Sequence, residues 1–158
     1  MPSRTVPPSR RPWWIALALV LTLVVAAWYF VLRDSEASSV FVRASERYIA
    51  AVERIRGGAV DISRFLDLPV YDDMVDRQVQ IIDKQTKVFE RLARTEDGEA
   101  ARIARDAADA AKRGRLAAFW YSESVINRKL TIATRADGEL GAAMADLRLL
   151  ITQWEQAK

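Results

Sequence analysis

The sequence predicts an all-α protein, with an N-terminal single transmembrane helix followed by an up-and-down four-helix bundle. Three observations carry this expectation. Residues 13–32 form a run of twenty residues with no charge, Gly or Pro. Beyond it, apolar residues recur at spacings of three and four, as amphipathic helices require. No segment sustains the alternation of a half-buried strand.

At the helical rise, Trp13–Leu32 covers about 30 Å, the thickness of a bilayer core. Trp13 and Trp14 stand at one end and Trp28, Tyr29 and Phe30 at the other, where amphipathic rings favour the membrane–water interfaces. Pro12 precedes the run and Arg33 and Asp34 follow it. A cleaved signal peptide is the rival reading, because Val25-Ala26-Ala27 and Ser35-Glu36-Ala37 carry small residues suited to cleavage. The apolar run continues past Ala27, however, and exceeds the roughly 7–15 residues of a signal core, so an anchor is expected. Ser9-Arg10-Arg11 is a poor twin-arginine signal, since Pro12-Trp13-Trp14 replaces the residues expected next. Arg4, Arg10 and Arg11 crowd the near side of the span, with only Arg33 close on the far side. By the positive-inside rule, residues 1–12 are expected as a short basic cytoplasmic tail, 13–32 as the anchor and 33–158 as an extracytoplasmic helical domain. Within the anchor, Ala18, Thr22 and Ala26 lie four apart, a small-residue stripe that suits close packing of membrane helices.

The first domain helix is expected from Ser35 to Arg56, with Phe41, Ala44, Tyr48, Ala51, Val52 and Ile55 on its core face and Gly57-Gly58 ending or loosening it. Residues 59–69 read as a connection closed by Pro69. A second helix is expected from Val70 to Arg94, burying Tyr71, Met74, Val75, Val79, Ile82, Phe89 and Leu92. Its exposed face carries Asp73, Asp83 and Glu90, each four residues before Arg77, Lys87 and Arg94, the favourable order for pairs along a helix. Asp97-Gly98-Glu99 and Asp137-Gly138-Glu139 resemble helix starts, with an Asp placed to cap first-turn amides. The third helix is therefore expected from Glu99 to the low 130s, with a stripe of Ala100, Ala104, Ala107, Ala111, Gly114, Ala118 and Val125 whose small residues let a neighbour approach closely. The fourth is expected from Gly138 to Trp154, repeating Leu140, Ala143, Leu147, Leu150 and Trp154 at the spacing of near-parallel packing.

Composition narrows the chemistry. The net charge is +3, but three arginines precede the span and the remaining 21 Lys and Arg meet 21 Asp and Glu. The domain is neutral, so nucleic acid is not an expected partner. Cysteine and histidine are both absent, which removes disulfides, the commonest general base and the commonest metal ligand. Asp72, Asp73 and Asp76 share the spacing of helical magnesium sites, but a single such cluster after Pro69 reads as acids complementing a helix N-terminus. Ser122, Ser124 and Lys129 are poorly spaced for a serine–lysine pair and read as solvated residues near a helix end. No phosphate-binding glycine loop occurs. No catalytic residue, cofactor or metal site is expected, and the lipid bilayer is an expected partner.

Phe119-Trp120-Tyr121 are consecutive, and at about 100° per residue they cannot share one buried stripe. With the alanine stripe facing the core, Trp120 points outward and Leu116 lies one turn before it, flanked by Arg113, Glu123 and Asn127. Leu116 and Trp120 are therefore the expected contact surface for another protein or another copy of the chain. A membrane-anchored interaction or scaffold protein is the reading that follows. The alternative is an extracytoplasmic sensor or ligand-binding module that passes its signal through a partner's membrane helix.

Overall fold

In the computed structural model, residues 13–62 and 68–157 are described, with side chains at 17–29, 35–59 and 68–157. The expected tail, 1–12, lies outside them. Among the described residues the protein is all-helical: α1 (Trp13–Ile62), α2 (Leu68–Thr95), α3 (Gly98–Ile126) and α4 (Leu130–Ala157). The chain divides into two compact units, Met1–Glu36 and Ala37–Lys158.

In the first unit, the described side chains at 17–29 include nine large apolar ones that are more than half exposed, among them Leu19, Leu23, Trp28 and Tyr29. This helix has no polar face. The ends of the expected span, 13–16 and 30–32, lie outside the described side chains. Among the described residues no helix is long and apolar enough to cross a membrane.

The second unit has one contiguous core. Every core residue expected for its first helix is buried, Phe41 through Ile55, as are all five expected for the last. Phe41 stacks on Trp154 of α4 at 4.2 Å and 5° and meets Phe89 of α2 at 5.5 Å. Tyr48 donates its hydroxyl proton to the Ala111 carbonyl of α3 at 3.2 Å. Paired positions run in opposite directions: Glu53 with Arg148 and Arg56 with Asp137 join α1 to α4, while Asp83 with Arg115 and Glu90 with Lys112 join α2 to α3.

Three local expectations before α3 need correction. Gly57-Gly58 does not end α1, which continues to Ile62. Gly58 serves close packing instead, since a Cβ there would lie 2.5 Å from the Met74 terminal methyl and 3.3 Å from the Tyr71 ring. Pro69 falls in the first turn of α2, where its missing N–H costs nothing. The acids of α2 also find other partners, because Asp83 and Glu90 reach across to α3 and Arg77 donates to the Asp73 carbonyl at 3.1 Å. A base across the interface has as good a reach as one a turn away, and the close approach of α2 and α3 supplies it.

The largest difference lies between α3 and α4. Asp137-Gly138 does not start a helix; α4 begins at Leu130 and runs through both. The break falls at 127–129. Lys129 N–H donates to the Ser124 carbonyl at 2.8 Å and Arg128 N–H to the Val125 carbonyl at 3.2 Å, with Arg128 at φ 56°. This is the paired 6→1 and 5→2 closure of a Schellman motif, with arginine in the left-handed position that glycine usually fills. Asn127 reinforces the stop by donating its side-chain amide to the Glu123 carbonyl at 2.7 Å. Asp97 sits at the N-cap of α3 but makes no side-chain capping bond. Asp137 instead accepts two bonds from the Arg56 guanidinium, at 2.6 and 2.9 Å.

Candidate interaction surface

The break at 127–129 sets the register of α4 against α3 and so fixes what faces outward between them. Along α3 the buried stripe turns toward the core, with Tyr121 buried at the edge, while Leu116, Phe119 and Trp120 remain 57%, 50% and 51% exposed. The Phe119 and Trp120 rings meet edge-on at 5.5 Å and 72°.

A groove of about 430 Å³ opens beside these residues. From α3 it takes Arg113, Leu116, Ala117 and Trp120, and from α4 Ile132, Arg135, Ala136 and Glu139. Each set follows the i, i+3, i+4, i+7 spacing of one helix face. Ala117 and Ala136 are buried and form the floor; the larger apolar groups form the walls. Arg113 is tied to Asp146 at 3.0 Å, whereas Arg135 and Glu139 are exposed and make no ion pair among the described residues. Of the expected flanking residues, Arg113 lines the groove. Glu123 and Asn127 lie toward the turn, where the Asn127 amide also donates to the Glu123 carboxylate at 3.2 Å.

The α4 half of this groove was not legible from the sequence. With a helix start expected at Gly138, Ile132 and Arg135 fall outside any assigned face. The signal that finds them is the spacing of Ile132, Ala136 and Glu139, which is helical back to Leu130.

A second recess, of about 1060 Å³, lies near the α3–α4 turn, with Arg56, Tyr121, Ser124, Arg128, Thr134 and Asp137 in its lining. The Asp137 hydrogen bond and charge hold the Arg56 guanidinium above its ordinary pKa. Burial raises the Tyr121 phenol, and the Asp137 charge raises it further.

Ser122 and Ser124 are buried rather than solvated. Ser122 donates its hydroxyl to the Phe119 carbonyl at 2.9 Å, the local bond common for a serine within a helix. Asp72, Asp73 and Asp76 are all exposed. Among the described residues no group of three potential ligands is placed to hold a metal ion. In the first unit the Thr22 hydroxyl donates to the Ala18 carbonyl at 2.8 Å, and Ala26 is half-buried.

Compared with known proteins, the chain matches no family model, no curated protein and no solved structure.

Proposed function

We propose that the protein is a membrane-anchored interaction or scaffold protein without catalytic activity. Residues 13–32 act as a single-pass anchor, residues 1–12 face the cytoplasm, and the domain beyond is an up-and-down four-helix bundle outside the cell membrane. The anchor is supported by the twenty uncharged residues of the sequence and by a helix that exposes apolar side chains all round at 17–29, a surface suited to lipid. The Ala18, Thr22 and Ala26 stripe is its helix-packing face. The observation that carries the interaction role is the half-exposed Leu116–Trp120 wall of the α3–α4 groove. A large aromatic beside charged rim residues is the usual composition of a binding hot spot.

The test is crosslinking of the full chain in its native membrane followed by mass spectrometry, with a topology reporter fused after Lys158. An extracytoplasmic reporter and a neighbour lost in Trp120→Ala, with the melting temperature nearly unchanged, are the expected results. A cytosolic reporter would overturn the topology, and an unchanged set of neighbours would overturn the surface. A second reading, a ligand-binding sensor module, is favoured by the recess at Arg56 and Asp137. It requires a small molecule whose stabilisation of the chain disappears in Arg56→Met.

A further inference from the structure

The groove has two features that bear on what could cover it. Two neighbouring helices each turn a second face outward, Arg113, Leu116, Ala117 and Trp120 on α3 and Ile132, Arg135, Ala136 and Glu139 on α4. Both helices already bury another face in the core. The groove face lies outside that core, with Leu116, Trp120 and Ile132 still 57%, 51% and 44% exposed.

We propose that this face is covered by a second copy of this chain, so that α3 and α4 of one protomer and α3 and α4 of its partner pack as four helices about a two-fold axis. This rests on the interaction-surface reading above and names its partner. A two-fold interface requires the same patch to be complementary to itself, and two features meet that requirement. The patch holds both a projecting group, Trp120, and a small-residue floor, Ala117 and Ala136, so each tryptophan has a hollow to enter on the other copy. The rim holds both signs of charge, Arg135 and Glu139, one helical turn apart and without ion pairs among the described residues. The two-fold axis lets each Arg135 face the partner's Glu139 and the reverse. A lipid surface or a uniformly charged partner would leave one of these two charges unmatched, and a bilayer has no use for a concave floor.

The contact is small. The striped length is about 10 Å of each helix, so a patch two helices wide covers on the order of 200 Å², well below the roughly 800 Å² per partner of a standard stable interface. Association is therefore weak in dilute solution and is strengthened where anchors hold copies in one membrane at high effective concentration.

The absence of cysteine from the chain makes a specific test available in intact membranes. Two differently tagged full-length copies are co-expressed, one carrying Arg135→Cys and the other Glu139→Cys, and exposed to a mild oxidant. A control pair carries Asp76→Cys, exposed on α2, which contributes nothing to the groove. The expected result is a mixed-tag dimer at least tenfold above the control, reduced to the control level when Trp120→Ala is added to both copies. Retained helicity and melting temperature in the Trp120→Ala chain show that loss of the crosslink is loss of contact. Thr22→Leu should leave the crosslink in place, which separates this contact from packing of the anchors. A mixed-tag yield no higher than the control overturns the proposal, as does a crosslink indifferent to Trp120→Ala. If no self-crosslink forms but a different protein is captured in a Trp120-dependent way, self-association fails while the interaction-surface reading stands. If nothing Trp120-dependent is captured, both fail.

Discussion

Gly114→Ala tests the tightest packing around any glycine of the described residues. In the middle of α3, glycine is the wrong residue for local stability, and alanine there gains about 1 kcal/mol in helix propensity. The structure sets that gain against a larger loss. A Cβ at this position would run into the Tyr48 hydroxyl of α1 and lie 2.9 Å from the Ala143 Cβ of α4. Neither obstacle is the loose end of a flexible chain. Overpacking of this kind costs about 1–3 kcal/mol. Displacing Tyr48 also breaks its bond to the Ala111 carbonyl, leaving a buried hydroxyl unsatisfied at about 1–3 kcal/mol. The net expectation is a destabilisation of about 1–5 kcal/mol, and the middle of that range is worth roughly 10 °C in Tm for a domain of this size. Thermal and urea unfolding of the full chain in detergent, followed by circular dichroism, measures it. Tyr48→Phe removes the nearest obstacle, so the double variant should fall short of the sum of the singles by about 1–3 kcal/mol. A neutral or stabilising Gly114→Ala, or strict additivity with Tyr48→Phe, would refute the close approach of α1, α3 and α4 at this level.

Other glycines should behave oppositely. Gly138→Ala and Gly141→Ala meet nothing within 4 Å in the interior of α4, so each should raise stability by about 0.5–1 kcal/mol in the same unfolding assay; a loss at Gly138 would restore the helix start expected there. Arg128→Gly relieves a side chain held at φ 56° and should stabilise by about 0.5–1 kcal/mol after the added freedom of the unfolded chain is subtracted, whereas Arg128→Val should destabilise. Alkaline pH should weaken the fold. Burial raises the Tyr48 phenol, with the Arg113 charge opposing it, and raises the Tyr71 phenol, which the Tyr121 charge raises further, both from an ordinary value of 10.0. Above about pH 10 the unfolded chain releases these protons while the folded one keeps them, so the stability present below pH 10 is lost by about 1.4 kcal/mol per pH unit for each tyrosine. Tyr71→Phe should flatten the fall of Tm between pH 10 and 11, and an unchanged slope would show that Tyr71 ionises freely in the fold.

The core was legible because it obeys one period. Phe41 through Ile55, the small residues from Ala100 to Ala118, and Leu140 through Trp154 are each read from spacing alone, and each is buried. Helix ends were not legible where two signals compete. Asp137-Gly138 has the composition of a helix start, yet Asp137 is needed by Arg56, 81 positions earlier in the chain, and such a partner leaves no local trace. The true break at Arg128 lacks the glycine that normally announces a Schellman closure. It is maintained by backbone bonds and by Asn127, which the sequence displays only as an ordinary polar residue.

That displaced break also decides how much of the candidate surface the sequence reveals. Leu116 and Trp120 stand out because three consecutive aromatics cannot all face one core. A lone exposed tryptophan, however, is a weak indicator of a site. Its neighbours on α4 turn it into one wall of a groove, and they do so only because α4 begins at Leu130 and brings Ile132, Arg135 and Glu139 into helical register beside it. Had α4 begun at Gly138, residues 130–137 would not have stood as a helix beside α3 and the groove would have had a single wall. The pairing of α3 with the early turns of α4 is therefore the step by which an irregular local feature of the sequence becomes a two-sided surface with its own apolar floor and its own opposite charges.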